Sequence, residues 1–98
     1  MTAKHTPGPW TTDPEVGHES VIDGEGRLIA DCAIFGHGFK RELNVANARL
    51  ISAAPDLLTA LRIVQVAAIN QRGLDFNLTT EEWAVFRAAI AKATGAAA

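Results

Sequence analysis

The hydrophobic pattern changes period once along the chain. Up to about residue 36 apolar positions alternate or fall in short runs between turn residues, which predicts strands. Beyond residue 40 they recur every three or four residues, which predicts helices. Trp10 to Asp13 reads as a short strand, and Glu19–Asp23 and Arg27–Phe35 as longer ones, with Asp23-Gly24-Glu25-Gly26 as a hairpin turn holding one residue at positive φ. Within the third strand Leu28, Ala30, Cys32 and Ile34 share one face and Ile29, Asp31, Ala33 and Phe35 the other.

The centre of the chain is Leu43 to Leu61, two helical stretches hinged at Ala54-Pro55. Proline cannot donate to the carbonyl four residues back and disfavours helical geometry before it. The first helix therefore ends near Ala53 and a second opens with Pro55 in its first turn; a single kinked helix is the alternative parse. At 100° per residue Leu43, Ala46, Leu50 and Ala54 form the buried stripe of the first helix, with Ile51 at its flank. Asn47 falls inside that stripe, so it is expected to be a buried structural amide tying the helix to the hairpin or to the N-terminal segment. Asn44 and Arg49 lie outside it and are expected in solvent. In the second helix Leu57, Leu61, Val64 and Ala68 make the main stripe. Leu58, Ile63, Val66 and Ile69 lie off it, and on that ground they form a candidate oligomer interface. Thr79-Thr80-Glu81-Glu82 has the spacing of a capping box, Trp83, Phe86, Ile90 and Ala93 share a side of the last helix, and Gly95 ends it. The predicted fold is α+β: a small antiparallel β-sheet of two or three strands (about 5–36) followed by two or three α-helices packed on one face (about 40–94). Residues 1–98 are read as one domain.

Composition narrows the function more by exclusion than by assignment. Nine basic and eleven acidic residues leave a net charge of -2 without a basic run, which argues against direct nucleic-acid binding. No stretch is apolar enough to span a membrane. One cysteine permits no internal disulfide, and in alternation with apolar neighbours Cys32 reads as a core thiol. His5, His18 and His37 have no paired ligand spacing, so no metal site is assigned. No nucleophile elbow or acid–base pair stands out. The expectation is a non-catalytic protein without cofactors.

Two features suggest binding. His5-Thr6-Pro7-Gly8-Pro9-Trp10 is stiffened by its prolines, so Trp10 reads as a clip over the core edge or as a preformed ligand contact. Gly36 and Gly38 precede Phe39, Lys40 and Arg41 at a helix start, where exposed N–H groups and cations attract anions. With Arg49, these residues (Trp10, Gly36, Gly38, Phe39, Lys40, Arg41) make a candidate ligand site for a nucleotide, phosphate on the cations and base on an aromatic.

Three stretches together carry a resemblance. HTPGPW at residues 5–10, ANARLISAAPDLL at 46–58 and RAAIAKATG at 87–95 resemble a family of small phage and prophage proteins with an N-terminal HTPGPW and a central ANARLI-AAAPDLL segment. Residues 37–43 and 74–78 stand outside that pattern. The resemblance implies a phage accessory protein acting in the bacterial cytoplasm, with no assigned activity. By analogy such proteins act through binding, including inhibition of host defence. The partners expected are a second copy in a homodimer, with a nucleotide signal or a host defence protein as target. The alternative is a modulator of phage DNA metabolism acting through protein contact.

Overall fold

The computed structural model describes residues 5–33, 40–69 and 78–95, backbone only at 68 and 69. Strands β1 (Thr11–Thr12), β2 (Ser20–Ile22) and β3 (Leu28–Asp31) form an antiparallel meander in the order β1-β2-β3. Thr12 pairs with Val21, and Val21 with Ala30. A bulge at Val21/Ile22 interrupts the second ladder. The expected alternation along β3 therefore buries neither face fully, and Leu28 is left 62% exposed.

Side chains that mimic backbone fix both turns. Between β1 and β2, the Asp13 carboxylate accepts the Glu15 N–H at 3.0 Å, and a 3-10 turn over Pro14–Val16 closes at Gly17 with φ 69°. Between β2 and β3, the Asp23 carboxylate accepts the N–H groups of Glu25 and Arg27, each at 2.9 Å, and Arg27 Nε at 2.9 Å. Gly26 supplies the positive φ this turn requires, 80°. The Arg27 N–H, then its guanidinium and the Glu25 N–H, outweigh desolvation and hold the Asp23 carboxyl below its usual range.

Helix α1 (Arg41–Ser52) lies on the sheet, and helix α3 (Thr80–Thr94) packs against both α1 and α2 (Ala54–Ile69). At Ala53 the chain leaves one helix and enters the next with a 43° bend, so Pro55 separates two helices. Among the described residues no single helix is long and apolar enough to cross a membrane; α1 and α2 reach that threshold only together, across the bend. Thr79 and Glu82 form both bonds of the expected capping box, and Gly95 ends α3 at φ 76°.

The inward face of α1 is not the expected one. Asn44, Ala48 and Ser52 are buried, whereas Asn47 is exposed and Leu43 and Leu50 are 43% and 55% exposed. Asn47 is thus not the buried amide; Asn44 is, and its Nδ2 donates to Glu19 Oε1 at 3.0 Å. The reason is steric and polar together. This face of α1 packs on both the sheet and α3, and short side chains let it lie close to each. Asn44 finds a carboxylate there, and the Ser52 hydroxyl is satisfied by donating to the Arg49 carbonyl at 2.8 Å. The amide tie between helix and hairpin exists, one turn earlier than the apolar stripe implied.

The same inversion runs through the rest of the core. The buried apolar side chains among the described residues are Val21 and the alanines 48, 53, 60, 67, 89 and 91. No described leucine, isoleucine, phenylalanine or tryptophan is fully buried. Leu61, expected in the main stripe of α2, is 64% exposed, and Trp83 and Ile90 on α3 are 51% and 54% exposed. Of the residues expected at an oligomer interface, Leu58 and Ile63 are half-buried and Val66 is 51% exposed; the side chain of Ile69 lies outside the described residues.

Candidate functional site

The stretches that carry the resemblance meet around the α1–α2 junction. The N-terminal arm lies so close to Pro55 that a Cβ on Gly8 would stand 2.8 Å from the Pro55 Cβ. Asp56, one residue on, accepts from Lys92 Nζ at 2.7 Å and ties the start of α2 to the end of α3. At the other end of that contact, a Cβ on Gly95 would stand 2.8 Å from Arg49 Nη1. Trp10 is half-buried in the arm, its indole N–H donating to the Thr6 carbonyl at 3.2 Å and its ring edge-on to His5 at 6.3 Å. Both contacts hold the ring to its own arm. Leu58 lines, with Pro7, Pro9 and Pro55, a hollow of about 340 Å³ between arm and helix.

Of the expected ligand residues, Arg41 and Arg49 are brought together. Two turns apart on α1, they border one open hollow of about 450 Å³, with Gly17, His18, Glu42 and Val45. Arg41 Nη2 donates to the Gly17 carbonyl at 3.2 Å, and an added Gly17 Cβ would crowd the same guanidinium. Arg49 also borders a second hollow of about 400 Å³, shared with Thr12, Ser52 and Lys92. Neither arginine is ion-paired with a carboxylate among the described residues, whereas Lys92 is held by Asp56. Trp10 does not line the arginine hollow. Lys40 is exposed at the N-cap of α1 and makes no capping bond through its side chain. Gly36, Gly38 and Phe39 lie outside the described residues.

His18 is the site residue that sequence reasoning missed. It sits at φ 65°, its Nδ1 2.8 Å from Thr12 Oγ1, and faces the hollow beside the arginines. Read singly it is a loop histidine. Only the β1–β2 pairing and the Gly17 turn carry it to α1, and the Asp13-Pro14 turn signal was the available hint. Among the described residues no three His, Cys, Asp or Glu side chains stand together as a metal site. Cys32 is half-buried, and burial together with the Asp31 charge pushes its thiol up, away from the thiolate a nucleophile needs. Chemically, the arginine hollow offers two cations, one carboxylate at Glu42 and an aliphatic wall at Val45, a net positive setting for an oxyanion rather than for bond making.

Comparison with known proteins gives one family. The sequence matches, over residues 1–97, a family described as Salmonella phage P22 protein Y8K6. No curated protein matches it, and no solved structure does.

Proposed function

The chain belongs to the family of Salmonella phage P22 protein Y8K6, and from that premise we propose that it is a non-catalytic binding protein of the phage, acting in the host cytoplasm to inhibit anti-phage defence by sequestering a nucleotide signal. One observation supports this above the rest: Arg41 and Arg49, free of carboxylate partners among the described residues, border the same open hollow. A phosphate in that hollow would accept charge-assisted hydrogen bonds from a guanidinium group, and the two arginines lie far enough apart along α1 to meet separate phosphates of one ligand. Val45 gives a base an apolar wall, and His18 gives it a ring edge. Titration calorimetry with a panel of cyclic di- and trinucleotides tests the reading. Heat is expected for at least one of them, lost in Arg41→Ala and in Arg49→Ala; an inert panel, or binding untouched by both substitutions, contradicts it.

A second reading has its own support. Leu43 and Leu50 project from the side of α1 opposite Asn44 and Ala48, an apolar strip suited to a protein target. On this reading the protein blocks a defence protein directly, or modulates phage DNA metabolism through protein contact. Phage challenge of hosts with and without single defence systems separates these. Protection of the phage confined to one defence system favours blocking, and a yield defect on deletion in hosts lacking defences favours the replication role. Leu50→Glu is expected to abolish whichever effect is seen.

A further inference from the structure

The arginine hollow does not end at Arg49. Arg41, Val45, Arg49 and Ser52 follow one another at spacings of four, four and three, so they form one line along α1. From first to last that line runs about 16 Å. Arg41, Val45 and Arg49 border the first hollow, of about 450 Å³. Arg49 and Ser52 border the second, of about 400 Å³, together with Thr11 and Thr12 of β1 and with Ala88 and Lys92 of α3. The strand side joins the two as well. Thr12 lines the second hollow, and its Oγ1 stands 2.8 Å from Nδ1 of His18, which lines the first. The hollows therefore adjoin, through Arg49 on the helix and through Thr12 on the sheet. Each falls within the range of small-molecule sites, roughly 300–1,000 Å³.

The two hollows differ in charge. The first sets two guanidinium groups against the one carboxylate of Glu42. The second lies where two helices end, Ser52 being the last residue of α1 and Gly95 the cap of α3, and helix dipoles place partial negative charge there. Its two cations are already engaged with negative groups. Arg49 Nη1 crowds Gly95 at the end of α3, and Lys92 Nζ is held by the Asp56 carboxylate at 2.7 Å. What remains is neutral: the hydroxyls of Thr11, Thr12 and Ser52, beside the methyl group of Ala88. Such a lining suits an uncharged unit that carries hydroxyls and an apolar face better than it suits a second phosphate. A nucleoside is such a unit. Resting on the nucleotide reading of the arginine hollow, we infer that the ligand is a dinucleotide lying along α1 across both hollows. One nucleoside occupies the first hollow against Val45, Arg49 at the boundary holds the linking phosphate, and the second nucleoside fills the hollow of Thr11, Thr12 and Ser52. A mononucleotide leaves that second hollow unused.

Titration calorimetry of the full chain with probes of equal phosphate number is the test: a nucleoside diphosphate against the 5′-phosphorylated linear dinucleotide, each in adenine and guanine forms. The dinucleotide of at least one base is expected to bind about tenfold more tightly than its diphosphate. Ala88 and Thr11 are exposed in the second hollow, so substitutions there spare the core. Ala88→Glu fills the hollow and Thr11→Val removes a hydroxyl; each should pull the ratio of the two affinities toward one. Arg41→Ala should weaken both probes and keep the ratio. A ratio near one in the parent protein, or one that survives both Ala88→Glu and Thr11→Val, overturns the inference and leaves the arginine hollow standing. Silence with every linear probe overturns it too, and the cyclic panel then decides separately whether the arginine hollow takes a nucleotide at all.

Discussion

The junction of the arm, α1 and the start of α2 differs in kind from the outer side of the α2–α3 hairpin. The junction is held by specific short-range fits: Gly8 on Pro55, Asn44 to Glu19, Asp56 to Lys92 and Gly95 beside Arg49. The hairpin leaves Leu61, Trp83 and Ile90 at least half exposed, as α1 leaves Leu50 on the side away from those fits. Side-chain size explains the contrast. Small and polar residues let backbones approach and leave little slack, whereas large ones buried only on one flank make fewer close contacts.

The largest effect is expected at Asn44. Asn44→Leu removes a buried donor and leaves Glu19 short of a partner, costing about 2 kcal/mol or more by urea denaturation. Asn47→Leu, on the exposed side, should stay within about 0.5 kcal/mol. Equal costs would erase the difference between the two faces of α1. Next is Gly8→Ala. Its methyl group meets the rigid Pro55 ring, and a loss of about 1–3 kcal/mol is expected. Gly24→Ala, with nothing within 4 Å, should cost far less; a tolerated Gly8→Ala would show the arm to be loosely docked.

That pair of residues also indicates how much was legible in the sequence. Turn and cap chemistry is local, so the Asp23 turn, the Thr79 capping box and the Gly95 stop could be read directly, while Pro55 marked the break and left two helices or one kinked helix both open. The α+β order followed from the change of period. What failed was the assumption that the most apolar stripe faces inward. In α1 the helix chooses its face by closeness to short strands, a tertiary demand that favours Asn44, Ala48 and Ser52 over Leu43 and Leu50. The candidate site was legible in part for the same reason. Arg41 and Arg49 share a helix face, which spacing reveals, whereas His18 reaches them only through strand pairing.

Smaller effects sharpen the contrast further. Thr79→Ala removes the cap of α3 and should cost about 1 kcal/mol, measured by thermal melting at fixed protein concentration. Lys92→Met breaks a half-exposed ion pair and should cost about 0.2–1 kcal/mol, shrinking as salt is added. Asp23 gives the narrowest effect. Its folded carboxyl titrates below its unfolded value, so its contribution is fully present above about pH 4 and is lost as pH falls through the folded value. Asp23→Asn should therefore be less stable than the parent at neutral pH, with the gap closing in acid. A gap that does not change with pH would assign the effect to turn geometry instead of charge.

The contrast between the closely fitted junction and the hairpin is tested most directly by amide hydrogen exchange. Protection in β2 and in Asn44–Ser52 should exceed that in Leu61–Ile69 and in Thr80–Ile90, because close backbone approach through small side chains resists local opening. Equal protection throughout, or the higher protection in the hairpin, would contradict the account.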